Sequence, residues 1–94
     1  MFDKVKERCG IAKEITVYDG QIKDYIDDAL ADMRASGVPP NLLGDTEPDP
    51  QALTAVTCYV KAYLGDDRTE TEKYLDLYRK KVFRLTLEEG NDVE

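Results

Sequence analysis

Residues 22 to 33 read IKDYIDDALADM, and Asp24, Asp27, Asp28 and Asp32 crowd four carboxylates into that stretch. Carboxylates so close together are raw material for a cation site or for paired acid–base work. On a helix, however, Asp24, Asp28 and Asp32 stack at successive i,i+4 steps opposite an apolar stripe, where no His or Cys accompanies them. An open row of this kind lacks the enclosure and supporting hydrogen bonds that hold a metal. It reads either as a solvated face or as an acidic recognition surface. A second acidic group, Asp45, Glu47 and Asp49, alternates as the first three ligands of a calcium-binding EF-hand loop do. The position that needs Gly for the sharp turn is Pro50 and the position that needs the closing Glu is Val56, so the geometry fails. The chain contains no His, which leaves proton transfer near neutral pH to a carboxylate, lysine or thiol of strongly shifted pKa. Cys58 lies in the most apolar segment and reads as a packed thiol with no base to activate it. Cys9 and Cys58 form neither a CxxC pair nor a disulfide framework and are expected to be reduced. No catalytic, cofactor-binding or metal-ligating residue is expected, and the chain reads as a non-enzyme.

The elements that would position these residues are all helical. Thr16-Val17-Tyr18-Asp19 fits a capping box and predicts a helix from there. In it Ile22, Tyr25, Ile26, Ala29, Leu30 and Met33 form the buried stripe, and Gly37 supplies the C-cap. Residues 37 to 50, GVPPNLLGDTEPDP, hold all four prolines and two of the six glycines, which predicts a long fixed connection. Asp49 and Pro50 read as N-cap and first residue of a helix over QALTAVTCYVKAYL, apolar on most sides and therefore central, with Thr57 and Lys61 as its clearest polar positions. Thr69 to Glu72 is a second capping box, opening a last helix that buries Tyr74, Leu75, Tyr78, Val82 and Leu85. Leu77 and Phe83 fall off that stripe. A short helix through Phe2, Val5 and Cys9 precedes the rest, nothing reads as strand, and the tail LEEGNDVE is too polar to pack by itself. The fold class is all-α: a small bundle of three main helices plus a short N-terminal one, in one domain over residues 1 to 94, with a flexible acidic tail from about residue 88.

Charge narrows the function classes. Residues 1 to 14 carry +4 and −3, residues 15 to 57 carry +2 and −8, and residues 58 to 94 carry +7 and −9, for a net −7. A protein that coats DNA by neutralising phosphates is not expected to be this acidic. A helix-turn-helix reader would need a short turn and a basic recognition helix, whereas this chain has a 14-residue loop and a helix rich in Asp. No segment approaches the roughly 20 apolar residues of a membrane span, and the N-terminus has no apolar core of a signal peptide, so the chain is expected to be soluble and intracellular.

The order of elements, with the helix after TVYD, the Pro-rich loop, the segment CYVKAYLGDD and the final TEKYLDLYRKKVFRL, resembles the small head-tail connector proteins of tailed bacteriophages, also known as DNA-packaging or head-completion proteins. The resemblance reaches from the N-terminus to about residue 87. It implies a structural virion protein without enzyme activity or cofactor. Such a subunit would form a homo-oligomeric ring, of about twelve copies by family resemblance, under cyclic symmetry beneath the portal. The ring would extend the DNA channel and meet a head-closure or tail-completion protein, with DNA passing through unbound and no membrane involved. Its place would be the virion, and the bacterial host cytoplasm during assembly. The alternative is a small cytoplasmic helical module that binds one protein partner as a monomer or dimer.

The resemblance carries over no motif residues, so the candidate contact residues come from the residue pattern. The Asp face (Asp24, Asp27, Asp28, Asp32) and the cations of the last helix (Arg79, Lys80, Lys81, Arg84) are unlike and complementary, as a head-to-tail contact requires; the alternative is that the cations only complement the C-terminal end of their own helix dipole and the Asp face meets water. Phe83 beside Arg79 has the composition of an interface anchor. Leu42 and Leu43, in the long loop, are expected to become ordered on assembly.

Overall fold

A computed structural model describes residues 1–65 and 67–92, with residues 88–92 described by their backbone alone. Its elements are α1 (Phe2–Arg8), α2 (Asp19–Ala35), a 3-10 turn (Pro40–Leu43), α3 (Pro50–Leu64) and α4 (Arg68–Asp92). Among the described residues there is no strand.

The helix ends follow from local chemistry, though not always from the residues that the sequence suggests. α3 starts as expected, with the Asp49 carboxylate accepting from the Gln51 and Ala52 amides at 2.9 and 3.4 Å and Pro50 at the first helical position. The Thr16 capping box does not form. α2 begins at Asp19 behind Tyr18, which makes no side-chain cap, and Thr16 only closes a turn through its carbonyl to the Asp19 amide. The carboxylate that should have reached back lies 2.9 Å from the Lys6 ammonium instead. The Thr69 box is likewise displaced, because Asp67 accepts from the Thr69 and Glu70 amides at 2.8 and 3.4 Å and α4 starts earlier. Asp competes well with Thr for an N-cap, and the shift adds two residues to α4, whose first turn is tied to α3 by the Thr71 hydroxyl donating to the Ala62 carbonyl at 2.8 Å.

Both α1 and α2 end in a glycine of positive φ, Gly10 at 77° and Gly37 at 99°. At each, two amides fold back: Gly10 and Ile11 donate to Glu7 and Lys6, and Gly37 and Val38 donate to Arg34 and Met33. This is the Schellman arrangement, which turns the chain sharply and lets Val38 pack beside Met33 in the core.

α3 packs against α1, α2, the 3-10 turn and α4, most extensively against α4. The core gathers Ile22, Ala29 and Met33 of α2, Ala52, Val56 and Val60 of α3, and Tyr78, Val82 and Leu85 of α4, with Val5 of α1 beneath. Each fully buried large apolar side chain contributes about 1.5–3 kcal/mol against exposure. Thr57, expected as a polar position, is buried; its hydroxyl donates to the Leu53 carbonyl at 2.8 Å, so the polar atom is satisfied within its own helix. Lys61 lies over the Tyr74 ring at 5.6 Å. The tail expected from residue 88 is helical as far as Asp92, and the side chains of 88–92 and residues 93–94 lie outside the described residues.

Candidate assembly surfaces

The four aspartates do not act as one group. Around α2, Asp24 faces directly away from the buried stripe, Asp28 and Asp32 turn progressively toward the shoulder that carries Tyr25, and Asp27 turns toward the other shoulder. All four are exposed as residues, but Asp32 is engaged: its carboxylate accepts the Tyr78 hydroxyl at 2.7 Å, joining α2 to α4. The same hydroxyl lies 3.3 Å from the Ala29 carbonyl. Burial, then the Asp32 hydrogen bond and charge, pushes the Tyr78 hydroxyl well above the ordinary tyrosine value. Asp32 is therefore a fixed helix–helix link rather than part of a purely solvated face.

Beside this link runs a file of four tyrosines that the sequence pattern did not bring together. Tyr25 of α2 lies 5.7 Å from Tyr63 of α3, Tyr63 lies 4.8 Å from Tyr59, and Tyr59 meets Tyr78 of α4 edge-on at 5.1 Å, all between ring centroids. These separations are those of attractive tilted and edge-to-face pairs. Tyr59 is pushed up by burial first, then by Tyr63 and by the charges of Asp28 and Asp32. Tyr63 keeps 46% of its surface exposed, so the file is open to solvent at its middle. The only sequence signal was the spacing of Tyr59 and Tyr63 at i,i+4. Joining them to Tyr25 and Tyr78 needed the packing of α2 and α4 on α3.

α4 presents the opposite chemistry. Arg79, Lys80, Phe83 and Arg84 are all exposed, Phe83 at 64%, and Leu87 joins them at 53%. Lys80 pairs with Asp76 at 3.0 Å on the surface, an i,i+4 contact worth at most a few tenths of a kcal/mol. Lys81 turns the other way and reaches Gln51 at 3.3 Å, leaving it outside the basic strip. Arg79 and Phe83 also flank a shallow depression with Asp32, Ser36, Tyr78 and Thr86.

The loop leucines separate in the same manner. Leu43, 5% exposed, completes the core, and Leu42 is half-buried against it. Asp49 donates its amide to the Leu42 carbonyl at 3.0 Å, and the terminal ammonium of Met1 donates to the Asp45 carbonyl at 2.8 Å. The loop is thus tied at both ends of its acidic segment.

One buried charge had no signature in the sequence. Lys6 is 5% exposed, with its ammonium 3.1 Å from the Lys13 carbonyl, 2.9 Å from Asp19 and 5.8 Å from the centre of the Phe2 ring. The Asp19 oxygen that it meets has no aligned hydrogen bond, so the contact is one of charge. It fastens α1 and the loop after it to the start of α2. The ordinary helical reading leaves Lys6 outward, and only the turn at Gly10 folds the following loop over it.

Among the described residues, no three His, Cys, Asp or Glu side chains come together as a cation site, and no helix is long and apolar enough to cross a membrane. Burial pushes the Cys9 and Cys58 thiols up, which lowers the thiolate fraction of both. What the surface offers is contact chemistry: an acidic, tyrosine-lined shoulder on α2 and α3, and a cationic, partly apolar strip on α4.

Comparison with known proteins bears on this directly. Searches of curated proteins and of solved structures returned no match. The model of one family, described as phage connector protein, matches residues 1–92. The chain therefore belongs to the phage connector protein family, and it is a structural component of a phage particle.

Proposed function

We propose that this chain is the adaptor subunit between head and tail, assembling as a ring beneath the portal, prolonging the DNA channel and offering its far side to a head-closure or tail-completion protein. Membership of the connector family supports the structural role. The observation that carries the ring is the pair of unlike faces on one subunit, with Asp24 and Asp28 on α2 and Arg79, Lys80, Phe83 and Arg84 on α4. Unlike faces give a heterologous contact, which closes when repeated by rotation; by family resemblance the closed ring would hold about twelve copies. A subunit of net charge −7 would let DNA slide past without gripping its phosphates. The role requires no catalysis and no cofactor, and it places the protein in the virion and, during assembly, in the host cytoplasm.

The test is the mass of the full chain in solution, alone and mixed with the portal, followed by electron microscopy of the heaviest species. A closed ring of uniform mass, alone or on the portal, is expected. A chain that stays monomeric or dimeric in both conditions would favour the small interaction module and overturn the ring.

A further inference from the structure

The outer side of α4 carries a second stripe, independent of the one it buries. Lys80, Phe83, Arg84 and Leu87 recur at i, i+3, i+4 and i+7, the spacing of a helix face made to meet another helix. Phe83 and Leu87 are its two apolar members, 64% and 53% exposed among the described residues. On α2, whose Asp32 lines one depression with Arg79 and Phe83, Asp24 and Asp28 stand exposed, again i,i+4, and Tyr25 of the same helix begins the file with Tyr63 and Tyr59. Both charged rows step about 6 Å, four residues at 1.5 Å each, so two cations can face two carboxylates in one register. Tyrosine rings beside carboxylates also suit the apolar members of the stripe, Phe83 between the two cations and Leu87 one turn beyond, with the guanidinium able to stack on a ring face.

We infer that the tyrosine–aspartate shoulder of one subunit receives the Lys80–Leu87 stripe of a second copy of this chain. The occupant is a copy of the chain itself because the chain bears both the charges and the apolar residues that the shoulder complements, at matching pitch. This rests on the ring reading and specifies its subunit contact. Asp32 stays outside the exchange, held by Tyr78, and Lys80 trades its surface partner Asp76 for the neighbour's carboxylate.

Two full-length variants test it: Asp24→Lys with Asp28→Lys, and Lys80→Glu with Arg84→Glu. Each side chain is exposed, and circular dichroism confirms that each variant keeps its helix content. Each alone presents like charges at the contact and should lose ring formation in sedimentation velocity, by ten-fold or more in the concentration required. Mixed one to one, the two variants present opposite charges at every contact and should recover assemblies of wild-type size. Rings formed by either variant alone at wild-type concentration would overturn this contact and leave the ring reading intact. Rings retained by the first variant together with loss of portal binding would show that the shoulder takes the portal, which also overturns it. If wild type and mixture both remain monomeric with portal present, the contact and the ring reading fall together.

Discussion

At the scale of single residues, the acidic row is two things at once. Asp24 and Asp28 meet solvent, whereas Asp32 accepts the Tyr78 hydroxyl. Asp24→Asn with Asp28→Asn should therefore raise the stability of the isolated subunit slightly, by about 0.2–0.5 kcal/mol for each like-charge step relieved. Urea denaturation reads this, and a loss of several kcal/mol would show that these carboxylates are buried partners. Tyr78→Phe acts in the other direction, because it removes a hydrogen bond to a charged acceptor that is worth about 1.5–3 kcal/mol. It should also change the alkaline limb of the stability profile. The folded state holds the Tyr78 proton more tightly than the unfolded chain does, so its contribution is complete below about pH 10, the unfolded value, and is lost as pH rises further. Wild type should lose stability above that pH more steeply than Tyr78→Phe, with Tyr59 supplying a remaining slope in both. Parallel profiles would show that neither burial nor the Asp32 link raises the Tyr78 hydroxyl. None of this was legible in the sequence, where Asp32 occupies the same row as Asp24 and Asp28; a helical wheel gives direction within one helix and is silent on the neighbour that reaches across.

At the scale of elements, periodicity located α1 to α4, whereas the Thr16 and Thr69 capping boxes misplaced the starts of α2 and α4 and the 3-10 turn within the loop was not foreseen. The apolar stripes of α2, α3 and α4 were readable because their buried members recur at three and four, and Gly37 was readable as a stop because only glycine adopts its positive φ at no steric cost. The starts were ambiguous because two acceptors compete within a few residues, and tertiary contacts decide. Asp19 is drawn to Lys6, and Asp67 is better placed than Thr69. Asp49→Ala and Asp67→Ala should each cost about 1 kcal/mol in thermal or urea unfolding, whereas Thr16→Ala should change stability by less than about 0.5 kcal/mol. A full capping loss at Thr16 would restore the longer α2 that the sequence suggests. The Pro-rich connection is better anchored than its composition implied, since the 3-10 turn places Leu43 in the core. Leu43→Ala should cost about 2–5 kcal/mol in the isolated subunit, and Leu42→Ala, half-exposed, clearly less. Equal small losses at both would return the pair to an assembly role.

At the scale of the whole molecule, what the sequence shows is a surplus, and what it leaves out is the geometry that gives the surplus a use. Phe83 was legible as an outlier because it falls off the buried stripe of α4, and it is indeed 64% exposed. The tyrosine file was not legible, because its members come from three helices whose mutual placement only packing supplies. The subunit measures 45 × 30 × 18 Å, so it is thin, and among the described residues Asp24 and Asp28 of α2 and Phe83 and Leu87 of α4 are exposed. An exposed Phe by itself is unremarkable, but here it stands between Lys80 and Arg84 and one turn before Leu87, the mixture of bulk and cation found where binding energy concentrates. Phe83→Ala opens no cavity in the core, so the monomer should unfold within about 1 kcal/mol of wild type. In an assembly that buries the ring, the same truncation should cost about 2 kcal/mol per contact, some thirty-fold in the concentration at which rings form. Parallel urea unfolding and sedimentation of one preparation separate the two effects. A monomer destabilised by 3 kcal/mol or more would place Phe83 in the core, whereas an unchanged monomer with unchanged assembly would leave the cations of α4 to hold the neighbouring subunit without an aromatic anchor.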